Sequence, residues 1–142
     1  MTSTFRPSPL LSFALVADAA SSGASALLMV FGAGLLSPLL GLPPTLLTWA
    51  GAILVPFAGG VAWLASRAAV PRAGVWVVIV LNVLWTVDCL LLLVSGAIQP
   101  TALGYAFVLA QAVVVAGLAD VQYLGLRRAG ADAGRRPVPI EA

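Results

Sequence analysis

Four apolar stretches, each long enough to cross a bilayer and each closed by proline, glycine or arginine, constrain this chain more than any other feature. They cover about residues 10–36, 45–66, 73–94 and 101–126. A bilayer's hydrocarbon core is about 30 Å thick and takes about 20 apolar residues to cross as a helix. The breaks between them are short. Ser37-Pro38, Gly41 and Pro43-Pro44 separate the first two, Arg67 and Pro71-Arg72 the next two, and Ser95-Gly96 with Gln99-Pro100 the last two. Proline lacks an N–H and restricts the residue before it, so these are helix-ending signals. Connections this short predict antiparallel neighbours and hence an all-α, up-down-up-down four-helix transmembrane bundle.

Charge usage supports the same class. Only 8% of the 142 residues are charged and 61% are hydrophobic, whereas a soluble domain carries about 25% charged residues. The chain has no His, one cysteine (Cys89), and a single glutamate, Glu141. Imidazole and paired-thiol ligand sets for zinc or haem are therefore absent from one chain. No nucleophile with its base and no phosphate-cradling glycine loop is legible, so we expect neither an enzyme nor a resident cofactor or metal. The basic residues form no groove-reading element, and no nucleic-acid partner is expected.

All seven basic residues are arginines, and they obey one topology. Arg6 precedes the first span, Arg67 and Arg72 lie between the second and third, and Arg127, Arg128, Arg135 and Arg136 follow the fourth. Positive residues near span ends favour the cytoplasm, so residues 1–9 and 127–142 are predicted cytoplasmic. Trp49 and Tyr105 then fall at the outer interface and Trp63, Trp76 and Tyr123 at the inner one, where aromatic belts belong. Ala17-Asp18-Ala19 after a short apolar run imitates a signal-peptide cleavage site, but the apolar character resumes at Ala24, and we read the segment as an uncleaved span. The tail 127–142 is too poor in apolar residues to pack and is expected to be disordered, with its four arginines near anionic headgroups. The expected partners are the lipid bilayer and either a second copy or another membrane protein.

A shift of 64 lays Asp18 and Gly32 on Asn82 and Gly96, a hint that the two hairpins repeat, although low-complexity apolar sequence also produces such matches. Membrane helices associate through small residues. The first span collects Ala14, Asp18, Ser21, Ser22, Ser25, Met29 and Gly32 in one sector. The second collects Thr48, Gly51, Ala52, Val55, Gly59, Ala62 and Ser66, and both stripes are expected to face each other or the bundle centre.

Asp18, Asn82, Asp88, Gln111 and Asp120 are the costly polar residues inside the spans. An aspartate at a helix centre costs about 2.5–3.5 kcal/mol on insertion scales. No span core holds a basic residue to neutralise them. Such carboxylates would be protonated or would hold a proton or cation in transit. The five form a candidate ion or proton pathway: Asp18 and Asp120 near the inner mouth, Asn82 and Gln111 at mid-depth, Asp88 in the outer half. Gln111 and Asp120 lie about 180° apart round their helix, which argues against both facing one pore. Hydrogen bonding between helices is the competing role for Asn82 and Gln111, and contact with Arg127 or the interface that for Asp120.

Asp18 in its Ser/Gly/Ala-rich helix, Leu40-Gly41-Leu42-Pro43, Asn82-x-x-Trp85 and Pro100-Thr101-Ala102-Leu103-Gly104 together resemble small uncharacterised bacterial four-helix inner-membrane proteins. That resemblance covers the four spans but not the tail. It implies the architecture and a bacterial plasma membrane, and no activity. The expectation is a multi-pass inner-membrane protein of structural or accessory type, with a small proton- or cation-coupled transporter using the aspartates as the alternative.

Overall fold

The computed structural model describes residues 3–134. Five helices carry the chain: α1 (Pro9–Phe31), α2 (Ala33–Leu40), α3 (Pro44–Ala65), α4 (Arg72–Val94) and α5 (Ala102–Ala133). Four of them, α1, α3, α4 and α5, are long and apolar enough to cross a membrane. Phe13, Phe31, Leu35, Trp49, Val94 and Val113 are among many large apolar side chains on the outside. So much exposed apolar surface suits lipid rather than water. The fold is thus that of a multi-pass membrane protein.

Local chemistry sets the helix ends. Ser8 caps α1 by accepting from the Leu11 N–H at 3.2 Å, with Pro9 in the first turn, where its missing N–H is harmless. Thr101 caps α5 through the Gly104 N–H at 3.1 Å. The same threonine also ties down α2, its hydroxyl donating to the Leu39 carbonyl at 2.7 Å and its N–H to that of Leu40 at 3.0 Å.

Three boundaries differ from the sequence reading. The first expected span, 10–36, is two helices, because α1 ends at Gly32 and α2 begins at Ala33. At Gly32 a Cβ would collide with the Leu28 carbonyl oxygen, so this position bends the backbone where a larger residue could not. The fourth span continues past Arg127 and Arg128 to Ala133, so the first part of the tail expected to be disordered is helical. Arginine and alanine favour helix; the charges end the apolar span without ending the helix. Arg135, Arg136 and the rest of the expected tail lie outside the described residues. Finally, a two-residue antiparallel ladder, β1 (Thr4–Phe5) with β2 (Val70–Pro71), pins the N-terminal segment to the α3–α4 connection.

α3 packs chiefly on α1, α4 chiefly on α5, and α1 with α5 joins the two pairs. α3 and α4 are consecutive in the chain, yet a groove runs between them. The contacts also sort the two ends of the bundle. At one end β1 meets β2, and Gly125 of α5 approaches Leu11 of α1, with a Cβ there only 2.9 Å from that of Leu11. Arg6, Arg67, Arg72, Arg127 and Arg128 sit at or near this arginine end. At the other, the turn end, the α2–α3 turn meets the α4–α5 connection through Thr101. Two apolar clusters fill the interior. One, towards the arginine end, includes Leu11, Leu15, Val61, Val75 and Leu126. Its counterpart towards the turn end includes Ala26, Met29, Leu47, Leu54 and Val108.

The inward face of α3 is Leu47, Gly51, Leu54, Ala58 and Val61, whereas Thr48, Ala52, Val55, Gly59 and Ala62 are exposed. The small-residue stripe expected to face inward is therefore turned by about 90°, and only its Gly51 edge touches α1. There the fit is close, a Cβ on Gly51 falling 2.8 Å from Val30 Cγ2 and 3.0 Å from the Ala26 carbonyl. Closer still is Gly104, where a Cβ would overlap the Leu40 carbonyl oxygen, while Gly117 on the same helix has open space. Gly104→Ala should therefore destabilise the folded chain by about 1–3 kcal/mol, the usual range for overpacking. Gly117→Ala should be neutral or stabilise by up to about 1 kcal/mol. Unfolding of both variants in a denaturing-detergent titration, followed by circular dichroism, measures the contrast.

Candidate functional site

Between the two apolar clusters lies a layer of polar side chains centred on Asp18. α1 presents it in the sector of Ala14, Ser22 and Met29, which packing turns inward, and Asp18 is fully buried. Asn82 of α4 donates from Nδ2 to Asp18 Oδ2 at 2.6 Å, and Gln122 of α5 donates from Nε2 to the same oxygen at 2.7 Å. The second oxygen, Oδ1, accepts from the Ser22 hydroxyl one turn along α1 at 3.2 Å. Asn82 also donates to Gln122 Oε1 at 3.3 Å, which closes a triangle across three helices. Among the described residues, no buried side-chain nitrogen or oxygen lacks a partner.

Neutral donors thus do what a basic residue would otherwise have to do. A carboxylate offers only acceptors, whereas an amide brings two N–H donors and one acceptor, so one acid and two amides can satisfy one another without an arginine. The pair that the 64-residue shift superposes, Asp18 and Asn82, is the pair that meets.

The other sequence candidates fall elsewhere. Gln111 lies on α5 nearer the turn end, and its Nε2 donates weakly to the Met29 sulfur at 3.7 Å. Asp88 is exposed and borders two cavities. Asp120 is exposed on α5 and takes no part in the cluster. Arg127, one of the two alternatives for Asp120 beside the interface, has its guanidinium 5.8 Å from the Tyr123 ring centroid. The five residues do not form one continuous ladder.

Gln122 was not singled out in the sequence, although it is fully buried and central. Its signal was rotational. Eleven residues separate it from Gln111, which is about 20° of turn and so nearly the same face, whereas Asp120 is about 200° away from Gln122.

Access to the cluster comes from the side. The α3–α4 groove holds a cavity of about 510 Å³ whose wall includes Ser22, Asn82, Trp85 and Asp88 on one side and Leu54 and Pro56 on the other. Pro56 has no N–H to give the Ala52 carbonyl, a mid-helix interruption that membrane helices tolerate where neighbours or water re-satisfy the freed group. Among the described residues, no group of three or more acidic or thiol side chains is placed to hold a metal ion. The chain matches no protein-family model, and comparison with curated proteins and with solved structures gave no match.

If Gln122 holds α5 to α1 and α4, Gln122→Leu should lower stability by about 1–2 kcal/mol, the upper range for hydrogen bonds between membrane helices. Asp120→Asn, two residues away but outside the cluster, should change it by less than about 0.5 kcal/mol. Equal effects in the denaturing-detergent titration would remove Gln122 from its central role.

Proposed function

We propose that this chain is a non-enzymatic, structural or accessory protein of a bacterial inner membrane. In this reading it is an up-down-up-down bundle with both termini in the cytoplasm. The observation that carries it is the state of Asp18: the most costly polar group in the interior has both oxygens occupied by neutral donors from its own chain. A group so engaged holds helices together and offers nothing open to a substrate. The connections between the spans are short, so the helix faces offer most of the surface that another protein could contact. The outward small-residue face of α3, with Ala52, Gly59 and Ala62 exposed, is where a second copy or a partner helix would pack closely.

Orientation rests on the arginine end. Arg6, Arg67, Arg72, Arg127 and Arg128 gather there while the two connections at the turn end carry no charge, which under the positive-inside rule supports a cytoplasmic arginine end. Arg67 lies 4.2 Å from the Trp63 ring centroid, an arginine–aromatic pairing suited to an interface. Reporters fused at Leu42 and Gln99 should read as periplasmic and one after Ala142 as cytoplasmic. A periplasmic C-terminus would overturn this orientation.

A second reading, proton- or cation-coupled transport through Asp18 and Asp88, is favoured by one observation: Asn82 and Ser22, both bonded to Asp18, also line the α3–α4 groove on which Asp88 stands. Liposome flux measurements separate the two. The accessory reading expects no protein-dependent proton or cation flux from the wild type. Flux that Asp18→Asn and Asp88→Asn both abolish would replace it with the transport reading.

A further inference from the structure

The turn-end half of the bundle contains a second feature that the Asp18 cluster does not use. A cavity of about 200 Å³ lies among the helices there, lined by Met29, Leu47, Trp85, Asp88, Phe107 and Gln111. A second of about 250 Å³ shares Trp85, Phe107 and Gln111 with it, and the groove cavity of about 510 Å³ shares Trp85 and Asp88. Trp85 therefore borders all three, and the spaces adjoin round its side chain.

The lining has a definite chemistry. Trp85 and Phe107 are half-buried, and aromatic faces attract cations, quaternary ammonium ions above all. Asp88 follows Trp85 by three residues on α4, so the two side chains are neighbours on one helical face. Its carboxylate has no hydrogen-bond partner among the described residues, in contrast to Asp18. Gln111 adds an amide whose one described partner is the weak sulfur contact with Met29. No arginine lines any of these cavities. In the first cavity one acid, two aromatic rings and an underused amide stand among apolar side chains and the Cys89 thiol, a lining that complements an amphiphilic cation and repels an anion.

Depth suits the same ligand. Asp88 lies six residues, about 9 Å, before the end of α4, so its carboxylate stands in the turn-end half of the bundle, between that end and the middle of the span. An ion with a charged head and an apolar body can then enter from the membrane side without the head crossing the hydrocarbon centre.

We propose that this half of the bundle binds a free amphiphilic ammonium ion, its charged head against the Asp88 carboxylate and its apolar body beside Trp85 and Phe107. This site goes beyond the accessory reading and holds whether or not the ion crosses the membrane.

Benzyltrimethylammonium is a suitable probe. The full chain, with its tryptophans labelled with nitrogen-15 and purified in dodecyl maltoside, gives four indole N–H resonances to follow, and Trp85→Phe assigns the relevant one. The Trp85 resonance should move saturably on titration, while those of Trp49, Trp63 and Trp76 stay in place. Asp88→Asn should raise the half-saturating concentration at least tenfold. Asp120→Asn removes an exposed acid elsewhere and should leave it unchanged. Phe107→Leu should weaken binding as well, which keeps the test alive if the Asp88 variant fails to fold. A resonance that does not move, Asp88→Asn and wild type titrating alike, or Asp120→Asn weakening binding equally would each overturn the proposal. Phosphatidylcholine carries the same ammonium chemistry on a lipid, and its addition should not displace the probe. Displacement would assign the site to a lipid headgroup and refute the free-ion proposal.

Discussion

A carboxylate inside hydrocarbon with no arginine in reach has to draw its hydrogen bonds from neutral groups, and Asp18 draws them from three helices or turns at once. Ser22 supplies one from its own helix, Asn82 one from α4 and Gln122 one from α5. That requirement fixes the rotation of all three helices, because turning any of them by one residue would strand an amide or the acid in an apolar medium. Apolar packing alone gives no such register, since lipid tails compete equally for leucine. The two apolar clusters above and below then pack around a rotation already set.

α3 is the one spanning helix that gives this cluster no hydrogen bond. Close approach holds it to α1, with Gly51 against Ala26, Met29 and Val30. Dispersion between small residues is weaker per contact than a hydrogen bond, but it requires only that the backbones come near. The open groove lies on the far side of α3, against α4, where no side-chain hydrogen bond crosses among the described residues and the glycine contact, Gly74 of α4 against Leu64, is made only at the arginine end. The groove is thus a consequence of how the cluster distributes its bonds.

Much of this was legible in the sequence, and the remainder failed for identifiable reasons. The spans follow from length and hydropathy, which a bilayer enforces strictly. The arginines mark where the bilayer ends, but α5 continues past Arg127 because a helix in water needs only residues of adequate propensity. The break at Gly32 was hidden because glycine is common within membrane helices. On α3 both Gly51 and Gly59 offer a small surface, and nothing local says which will meet a neighbour; Gly51 does, with Leu54 and Ala58 completing the buried face. Asp18 and Asn82 stood out by their cost at mid-depth. Gln122 did not, and only its position about 20° round the helix from Gln111 marks it as sharing that face.

Asp18 and Asp88, two of the three acids inside the spans, are held in opposite ways, and the difference bears on how any ion could pass between them. Asp88 is exposed and lines two cavities, whereas Asp18 is buried and held by the bonds that set helix rotation. A cation moving from the first to the second would have to pass Trp85 and then displace Asn82, Gln122 or Ser22 from the Asp18 carboxylate. Displacing an amide would leave a buried donor unsatisfied and loosen α4 or α5, at a cost of about 1–3 kcal/mol for each group. α3 is the one spanning helix that can shift without breaking any of those bonds, and it forms the opposite wall of the groove. Passage to Asp18 therefore calls for breaking bonds of the cluster, which a shift of α3 alone does not do, while binding at Asp88 calls for breaking none. A ligand held at Asp88 is compatible with a locked bundle, and transport through Asp18 only with one whose polar layer opens.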